Sequence, residues 1–311
     1  MASESRTLTT VGVGHAPGTE LVAKPDPVLV RRRPGVGRAF ARHRLAVFGA
    51  MVIALMALIA VLAPFVAMHD PFAVDLQMVR EGPSSKHLLG TDEAGRDVLS
   101  RVIFGTRVSL SVGLVAVTIY TLIGTILGAI SGYYGGAVDN AIQRVTDTVM
   151  CFPSLIIIIA AVAIVGPSIF NVMIVIGLLQ WPGVCRLVRG EFLSLRQRDF
   201  VLAARAMGAR DRRVIFRHIL VNAVGPITVA ATFGVAAAIL TEAGLSFLGL
   251  GVQPPTASWG NMINSAQSAS VLQEMPWAWV PPGVLIALAV LSINFVGDGL
   301  RDAVDPRMRV G

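Results

Sequence analysis

Uninterrupted apolar runs constrain the fold of this sequence more than any other feature. A helix needs about 20 consecutive apolar residues to cross a bilayer, and several runs reach that length. Only 14% of the 311 residues are charged, whereas soluble proteins average about 25%. We therefore predict an all-α polytopic membrane protein with six transmembrane helices. The predicted spans are Leu45–Met68, Val108–Ile130, Val145–Val165, Ile169–Val188, Ile219–Leu240 and Trp279–Val296.

The distribution of Lys and Arg predicts the orientation of these spans. Short cytoplasmic loops of membrane proteins are enriched in both residues. The sequence has 26 of them, of which five fall on one side of the predicted membrane and the remaining 21 on the other; the five are Arg80, Lys86, Arg96, Arg101 and Arg107. Both termini are therefore expected in the cytoplasm. The net charge of +7 is explained by these loops, and no nucleic-acid binding is predicted.

This orientation defines the expected organisation of the chain. We expect a basic, disordered cytoplasmic tail at residues 1–44 and a first span at 45–68. An extracytoplasmic loop follows at 69–107. A five-helix core covers 108–300 and includes an extracytoplasmic loop at 241–278, and a short cytoplasmic tail covers 301–311. Pro182 is expected to distort the fourth span, because proline interrupts helical hydrogen bonding.

The segment 186–218 interrupts the apolar pattern with nine arginines. An Arg at the bilayer centre costs about 2.5–3.5 kcal/mol on insertion scales, so this segment is predicted to lie outside the membrane as a cytoplasmic loop. The stretch FVLAARAM consists of residues compatible with a helix. Gly208 suits a left-handed turn at its end, and Asp211 is expected to cap a second helix. A helical hairpin is the prediction.

The first helix of this hairpin has a face almost free of side chains. Ala203 and Ala204 form that face, and Phe200 and Met207 flank it with apolar side chains. Such a face can lie deep in a groove on another protein. On local physics alone, a basic helix that faces anionic lipid head groups is an equally good interpretation.

Two further patterns concern the spans themselves. Gly124 and Gly128, followed by Gly132, fall on one face of the second span, and this spacing lets helix backbones approach closely; ordinary helix packing is the predicted role. Polar residues at membrane depth are candidates for function. Gln180, Glu242 and Asn294 are therefore candidate pathway-lining residues, with hydrogen bonding between helices as the alternative.

The sequence contains no motif for catalysis or nucleotide binding. A phosphate-binding loop requires G-x-x-x-x-G-K-[ST], but the only lysines, Lys24 and Lys86, follow no such glycine pattern. A zinc-protease motif H-E-x-x-H is also missing from the sequence. We predict no catalytic residue and no cofactor in this chain, so any ATP hydrolysis would occur in another polypeptide.

Several stretches together resemble one family of membrane proteins. The hairpin is similar to the EAA loop of ABC importer permeases, which has E-A-A, three residues and then Gly; Leu202 stands at the Glu position, Ala203 and Ala204 match, and Gly208 has the required spacing. HLLGTDEAGRDVLSRVIFGTRVSL (87–110), LTEAGLSFLGLGVQPPTASWGNMI (240–263) and NFVGDGLRDAVDPR (294–307) resemble the C-type permease of dipeptide and oligopeptide importers. The resemblance covers residues 35–310.

The resemblance implies a fold, a function and partners. It implies a type I importer core, similar to that of MetI, preceded by one extra helix. It also implies a B-type permease partner, two cytoplasmic ATPases that bind ATP and Mg²⁺, and an extracytoplasmic peptide-binding protein in a prokaryotic cytoplasmic membrane. The EAA loop would supply the helix that couples to an ATPase. The residues expected to form this coupling site are Phe200, Leu202, Ala203, Ala204, Met207, Gly208, Arg212 and Ile219.

The loop at 69–107 is expected to face the binding protein. Asp92, Glu93, Arg96 and Asp97 are candidate contacts, because charged residues steer association and set register. The alternative is a solvated loop in which Asp92 and Arg96 brace their own helix. Histidines occur beside carboxylates in this loop, but their spacing is irregular and no metal site is predicted.

Other functions remain open at this point. The same architecture could import a different small solute, such as a nickel chelate or glutathione. A secondary transporter independent of an ATPase would use charged residues within its spans, and these are scarce in the first, second and fifth spans. Such a transporter would also leave the basic hairpin unexplained.

Overall fold

A computed structural model describes residues 36–304 of the chain. Within this range the chain is helical, and the only β-type pairing is an isolated bridge between Thr91 and Asp97. The α-helices in chain order are α1 (Val36–Arg42), α2 (Arg44–Val66), α3 (Val98–Tyr134), α4 (Gly136–Met150), α5 (Ser154–Val165), α6 (Ile169–Leu179), α7 (Trp181–Leu195), α8 (Asp199–Ala206), α9 (Asp211–Arg213), α10 (Leu220–Phe247), α11 (Trp259–Asn264), α12 (Ala269–Glu274) and α13 (Pro276–Val304).

Five helical segments in the described range are long and apolar enough to cross a membrane: Arg44–Val66, Val98–Tyr134, Ile169–Leu195, Asp211–Phe247 and Pro276–Val304. A sixth would be the bent pair α4 and α5, whose axes differ by 82°. The third predicted span, at 145–165, therefore corresponds to this bent pair, with a break between Met150 and Ser154. The helix stops at Met150, and Pro153 precedes the start of α5; proline has no amide proton and restricts the preceding residue to extended backbone.

The fourth span is interrupted as expected. α6 ends at Leu179, Gln180 has non-helical backbone angles, and Pro182 lies in the first turn of α7. Proline is tolerated at that position because first-turn amides have no partner within the helix. The span then continues to Leu195 rather than ending at 188.

The structure places three segment boundaries at positions other than those predicted. α3 begins at Val98, ten residues before the predicted second span, because the Asp97 carboxylate caps it by accepting a hydrogen bond from the Ser100 amide. The fifth span extends to Phe247, and the connection after it contains α11 and α12. Residues 36–42 form a helix where a disordered tail was expected. The rest of that tail, with residues 305–311, lies outside the described residues.

The core is built around α3, which packs against α6, α7 and α10, while α13 packs against α2 and α10. The close approach of α3 and α7 depends on the predicted glycine face: a Cβ added at Gly128 would lie 2.5 Å from the Cys185 carbonyl oxygen. The two ends of the bundle are called the hairpin end and the loop end. The hairpin end is where Tyr133 contacts Asp211, and the loop end is where the Trp277 indole donates to the Thr91 carbonyl.

Candidate functional site

The segment between α7 and α10 forms a helical hairpin at the hairpin end. α8 ends in a turn at Gly208, whose φ of 80° lies in the left-handed region that glycine adopts without strain. α9 then begins and runs through a π-helical segment, Val214–Ile219, into α10. The predicted hairpin is present, but Asp211 does not cap the second helix: Arg210 holds the capping position, and the Asp211 carboxylate accepts a hydrogen bond from the Tyr133 hydroxyl at 2.6 Å.

The outer face of the hairpin consists of exposed residues of α8 and the turn. Met207 is 82% exposed and Phe200 43%. Ala203 lies between them in sequence at helical spacing and is also exposed, so the three share one face. Among the other residues expected to form the coupling site, the exposed ones are Leu202, Gly208 and Arg212. The outer face is therefore an exposed, partly apolar surface of the hairpin.

The inner face of the hairpin includes two of the residues that were expected on the docking surface. Ala204 is 3% exposed and Ile219 is fully buried. Ala204 differs from the expectation because residues one position apart along a helix point about 100° apart, so Ala203 and Ala204 do not lie on the same face. Ile219 differs because the π-helical segment before α10 packs into the main core. Val201 and Val214 are also fully buried and join the same core. Ala204 therefore fits the hairpin to its own chain.

Polar contacts attach the hairpin to the end of α3. Tyr133 donates to Asp211, and the Arg205 guanidinium lies 4.9 Å from the centre of the Tyr133 ring. Arg196 donates to the carbonyl oxygens of Gly132 and Tyr133 at 3.2 and 3.1 Å. Sequence reasoning missed Tyr133 and Arg196, since a tyrosine at a helix end carries no signal of a contact 78 residues away. These contacts join the hairpin directly to the end of α3.

An open groove runs along the bundle between four helices. It has a volume of about 750 Å³ and its surface is mostly apolar, formed by aliphatic side chains and alanines of α2, α3 and α10 with Ile293 and Val296 from α13; four threonines lie among them. The Thr118 and Thr228 hydroxyls donate to carbonyl oxygens one turn earlier in their own helices, so these donors are satisfied within the helices. Small and hydroxyl-bearing residues that line the groove include Ala50, Ala54, Thr118, Thr121, Thr228 and Thr232.

None of the three candidate pathway residues is among those that line this groove. Gln180 lies half-buried at the break between α6 and α7, and Asn294 is half-buried on α13. Glu242 is fully buried, and its carboxylate accepts hydrogen bonds from the Ser246 hydroxyl at 2.7 Å and the Ser109 hydroxyl at 3.2 Å. Glu242 therefore joins α10 to α3, as expected of a buried hydrogen-bonded carboxylate.

The charged residues at the loop end bond mainly to one another. Asp92 accepts from the Arg96 guanidinium at 2.8 Å and lies 3.4 Å from that of Arg101. This confirms the Asp92–Arg96 pair, which lies in the turn before α3 rather than within a helix. Glu93 pairs with Arg80 at 2.8 Å and both are exposed, so this pair is available to a partner.

Asp97 is buried, unlike the surface contact expected for it. It is 4% exposed and lies against His87. Burial alone would raise the pKa of Asp97, but hydrogen bonds from Ser100 and His87 outweigh it and hold the pKa below its usual value. Asp97 is therefore a charged residue inside the loop end and not on its surface.

Comparisons with known proteins agree with this architecture. A family model described as binding-protein-dependent transport system inner membrane component matches residues 124–310. A second, described as the N-terminal TM domain of oligopeptide transport permease C, matches residues 35–83. Together they cover helix α2 and the bundle from the second half of α3 onward, and residues 84–123 lie between the two matches.

Curated relatives match over most of their own length. A "Putative peptide permease protein" of Brucella suis biovar 1 is 46% identical over 268 residues, which are 86% of this chain and 89% of the relative. The dipeptide transport system permease protein DppC of Alkalihalophilus pseudofirmus is 44% identical over 268 residues, 86% and 88% of the two chains. The glutathione transport system permease protein GsiD of Escherichia coli O6:K15:H31 is 42% identical over 291 residues, 93% and 94%. With its bundle of spans and this similarity, the chain belongs to the family of binding-protein-dependent transport system inner membrane components, as a multi-pass permease subunit of an ABC importer of the Dpp/Opp C type.

Proposed function

We propose that this chain forms half of the pathway by which di- or oligopeptides enter a prokaryotic cell, and that its hairpin couples this pathway to a separate cytoplasmic ATPase. A similar B-type permease would supply the other half, two ATPases would bind ATP and Mg²⁺, and an extracytoplasmic binding protein would deliver the peptide. Both termini would lie in the cytoplasm, since the basic loops predict that side.

The two-faced hairpin carries the coupling proposal. Its outer face exposes Phe200, Ala203 and Met207, whereas its inner face is buried against the core. An ATPase that holds the outer face can therefore pull on α3 and α10 through the contacts of Tyr133 and Asp211. A partner shifts a conformational equilibrium only through contacts that differ between the two states, and these attached helices supply such a difference.

A cysteine cross-linking experiment tests the coupling proposal with a matched pair of positions. Ala203→Cys, in a chain lacking Cys151 and Cys185, is paired with single cysteines in the cleft of the ATPase, with and without ATP. Ala204→Cys is the control, because Ala204 is the next residue in sequence but is buried. We expect a nucleotide-sensitive cross-link at 203 and little or none at 204. Equal cross-linking at both positions, or none at 203 in an active complex, would contradict the docking geometry.

The groove supports the pathway part of the proposal. A passage for peptides of varied sequence needs weak contacts rather than one tight site. A mostly apolar groove with a few hydroxyls, those of Thr118, Thr228 and Thr232 among them, offers contacts of that kind. In the assembled importer this surface would face the B-type permease. Labelling of Thr228→Cys by a water-soluble maleimide tests this: protection by transported peptide supports the pathway, and unchanged labelling opposes it.

The names of the relatives support peptides as the substrate class. Two of them are named for peptide or dipeptide transport and one for glutathione, which is itself a short peptide. Uptake of a labelled dipeptide and of labelled glutathione by the complete complex distinguishes these substrates. Saturating uptake of a nickel chelate with neither peptide taken up would refute the peptide assignment while leaving the permease role intact.

The exposed charged residues at the loop end, Arg80 and Glu93, form a rim that supports contact with the binding protein. Glu93 and Arg80 are the exposed pair there, while Asp92, Arg96 and Asp97 bond within the chain. We therefore narrow the proposed contact to Glu93. Glu93→Lys should weaken stimulation of ATP hydrolysis by the loaded binding protein more at low than at high salt, since salt screens exposed charges.

A further inference from the structure

Three potential metal ligands meet at the loop end although they are distant in sequence. His69 follows α2, His87 lies in the connection between α2 and α3, and Asp97 caps α3. Their nearest ligand atoms lie within 4.8 Å of one another. The two imidazole rings are in contact, with centroids 4.6 Å apart. Sequence reasoning predicted no metal site because these spacings match no motif, and only the fold brings the three together.

The two oxygens of the Asp97 carboxylate make different contacts. Its Oδ2 accepts the Ser100 amide and caps α3. Its Oδ1 faces both histidines, at 2.9 Å from His87 Nδ1 and 3.8 Å from His69 Nδ1. One oxygen is therefore held rigidly by the helix, and the other is presented to the two imidazoles as a ligand atom.

His69 is held in place but lacks a partner for its ring nitrogen. The His69 amide donates to the Ser100 hydroxyl at 3.2 Å, which fixes its backbone on the first turn of α3. Its Nδ1 is buried and makes no hydrogen bond within the described structure. A buried polar atom without a partner costs about 1–3 kcal/mol, so a ligand at this position would satisfy a group that the fold leaves unpaired.

We propose that His69, His87 and Asp97 bind one divalent transition-metal ion of the Zn²⁺ class. Two imidazole nitrogens and a carboxylate oxygen suit Zn²⁺, and three protein ligands leave a fourth position for water. Zn–N distances are about 2.0–2.1 Å, so two ligands of one tetrahedral ion lie about 3.4 Å apart. The observed separations of 2.9 and 3.8 Å bracket that value. An ion bound at His87 Nδ1 takes the place of the hydrogen bond to Asp97, with the proton of the neutral ring carried on Nε2.

A metal here ties together three parts of the loop end. It links the residue that follows α2 to the connection at His87 and to the start of α3. His87 and Asp97 flank the segment that contains Glu93, so an ion bound to both would restrain that segment. The ion would come from outside the cell if the orientation proposed above is correct, but binding itself does not depend on that orientation.

Cobalt substitution tests the site in the intact chain. The full-length permease, purified with a tag that contains no histidine, is titrated with Co²⁺ and followed by the visible ligand-field bands of four-coordinate cobalt. Zn²⁺ is then added in competition. We expect one Co²⁺ per chain and displacement by Zn²⁺. His69→Ala and Asp97→Asn should weaken binding by at least roughly tenfold, and Asn keeps an oxygen that can cap α3.

Two further variants make the test specific. His218→Ala, a change at the hairpin end, should leave the bands and the affinity unchanged. His69→Cys should restore tight binding with a shifted spectrum, because thiolate is also a zinc ligand; a merely structural role for His69 would not produce that spectrum. If wild type and His69→Ala bind Co²⁺ equally, or if the folded wild-type chain binds none, the proposal is wrong.

Discussion

Gly128→Ala tests the close packing of α3 against α7 on which the bundle depends. An added Cβ at this position would lie 2.5 Å from the Cys185 carbonyl oxygen and 3.1 Å from the Arg189 amide nitrogen. Both are backbone atoms, so no side chain can rotate away and the helices must separate. Overpacking costs about 1–3 kcal/mol, and the contact with backbone favours the upper half, about 2–3 kcal/mol.

Gly190→Ala is the matched control. Gly190 lies on α7, one of the two helices in this contact, and a Cβ added there meets no atom within 4 Å. Alanine is favoured over glycine in a helix by about 1 kcal/mol, and both variants gain this equally. Gly128→Ala should therefore be less stable than wild type by about 1–2 kcal/mol. Gly190→Ala should be more stable than wild type by about 1 kcal/mol.

Thermal denaturation of the purified chain in one detergent measures this difference. The fraction that remains monodisperse after heating is followed for wild type and both variants. The expected order of midpoints is Gly190→Ala above wild type and wild type above Gly128→Ala. A midpoint of Gly128→Ala equal to that of Gly190→Ala would refute the close approach of the two helices.

Three other residues give predictions that separate structural from transport roles. Tyr133→Phe removes the hydrogen bond to Asp211, which is worth about 1 kcal/mol. Peptide uptake per ATP hydrolysed in the assembled importer should therefore fall about fivefold while the protein still folds. Unchanged uptake per ATP would contradict attachment through this residue. Glu242→Ala leaves two serine hydroxyls without an acceptor, at a cost of about 1–3 kcal/mol each, and should lower the melting midpoint. Glu242→Gln should not lower it. A Glu242→Ala variant that is stable but has altered peptide selectivity would instead favour a pathway role. Thr232→Phe should block uptake while ATP hydrolysis persists, and normal uptake would exclude the groove as the pathway.

The correct and incorrect expectations about α8 show where sequence reasoning stops. The hairpin and its turn at Gly208 follow from local rules, because a left-handed φ and a run of arginines are properties of the segment itself. Which alanine points outward is not local. It depends on the position of Tyr133 and Arg196, which the chain brings in from other helices.

The same distinction applies to the polar residues. Glu242 at membrane depth is compatible with a pathway or with a buried network, and only the positions of Ser109 and Ser246 decide between them. His69, His87 and Asp97 have no regular spacing, because the first follows one helix and the last caps another. The approach of their ligand atoms to within 4.8 Å of one another results from the fold of the loop end, and no pattern in the sequence indicates it.

The sequence by itself determined the membrane class, the number of apolar segments, the interruption at Pro182 and the basic hairpin, since hydropathy, charge and proline act through neighbouring residues. Tertiary structure alone decided the bend after Met150, the burial of Ala204 and Ile219, and the surroundings of Glu242 and Asp97. The physical reason is that burial depends on which helix face meets which neighbour. In a chain this apolar, nearly every face is hydrophobic enough to be buried, so the sequence pattern cannot choose among them and packing does.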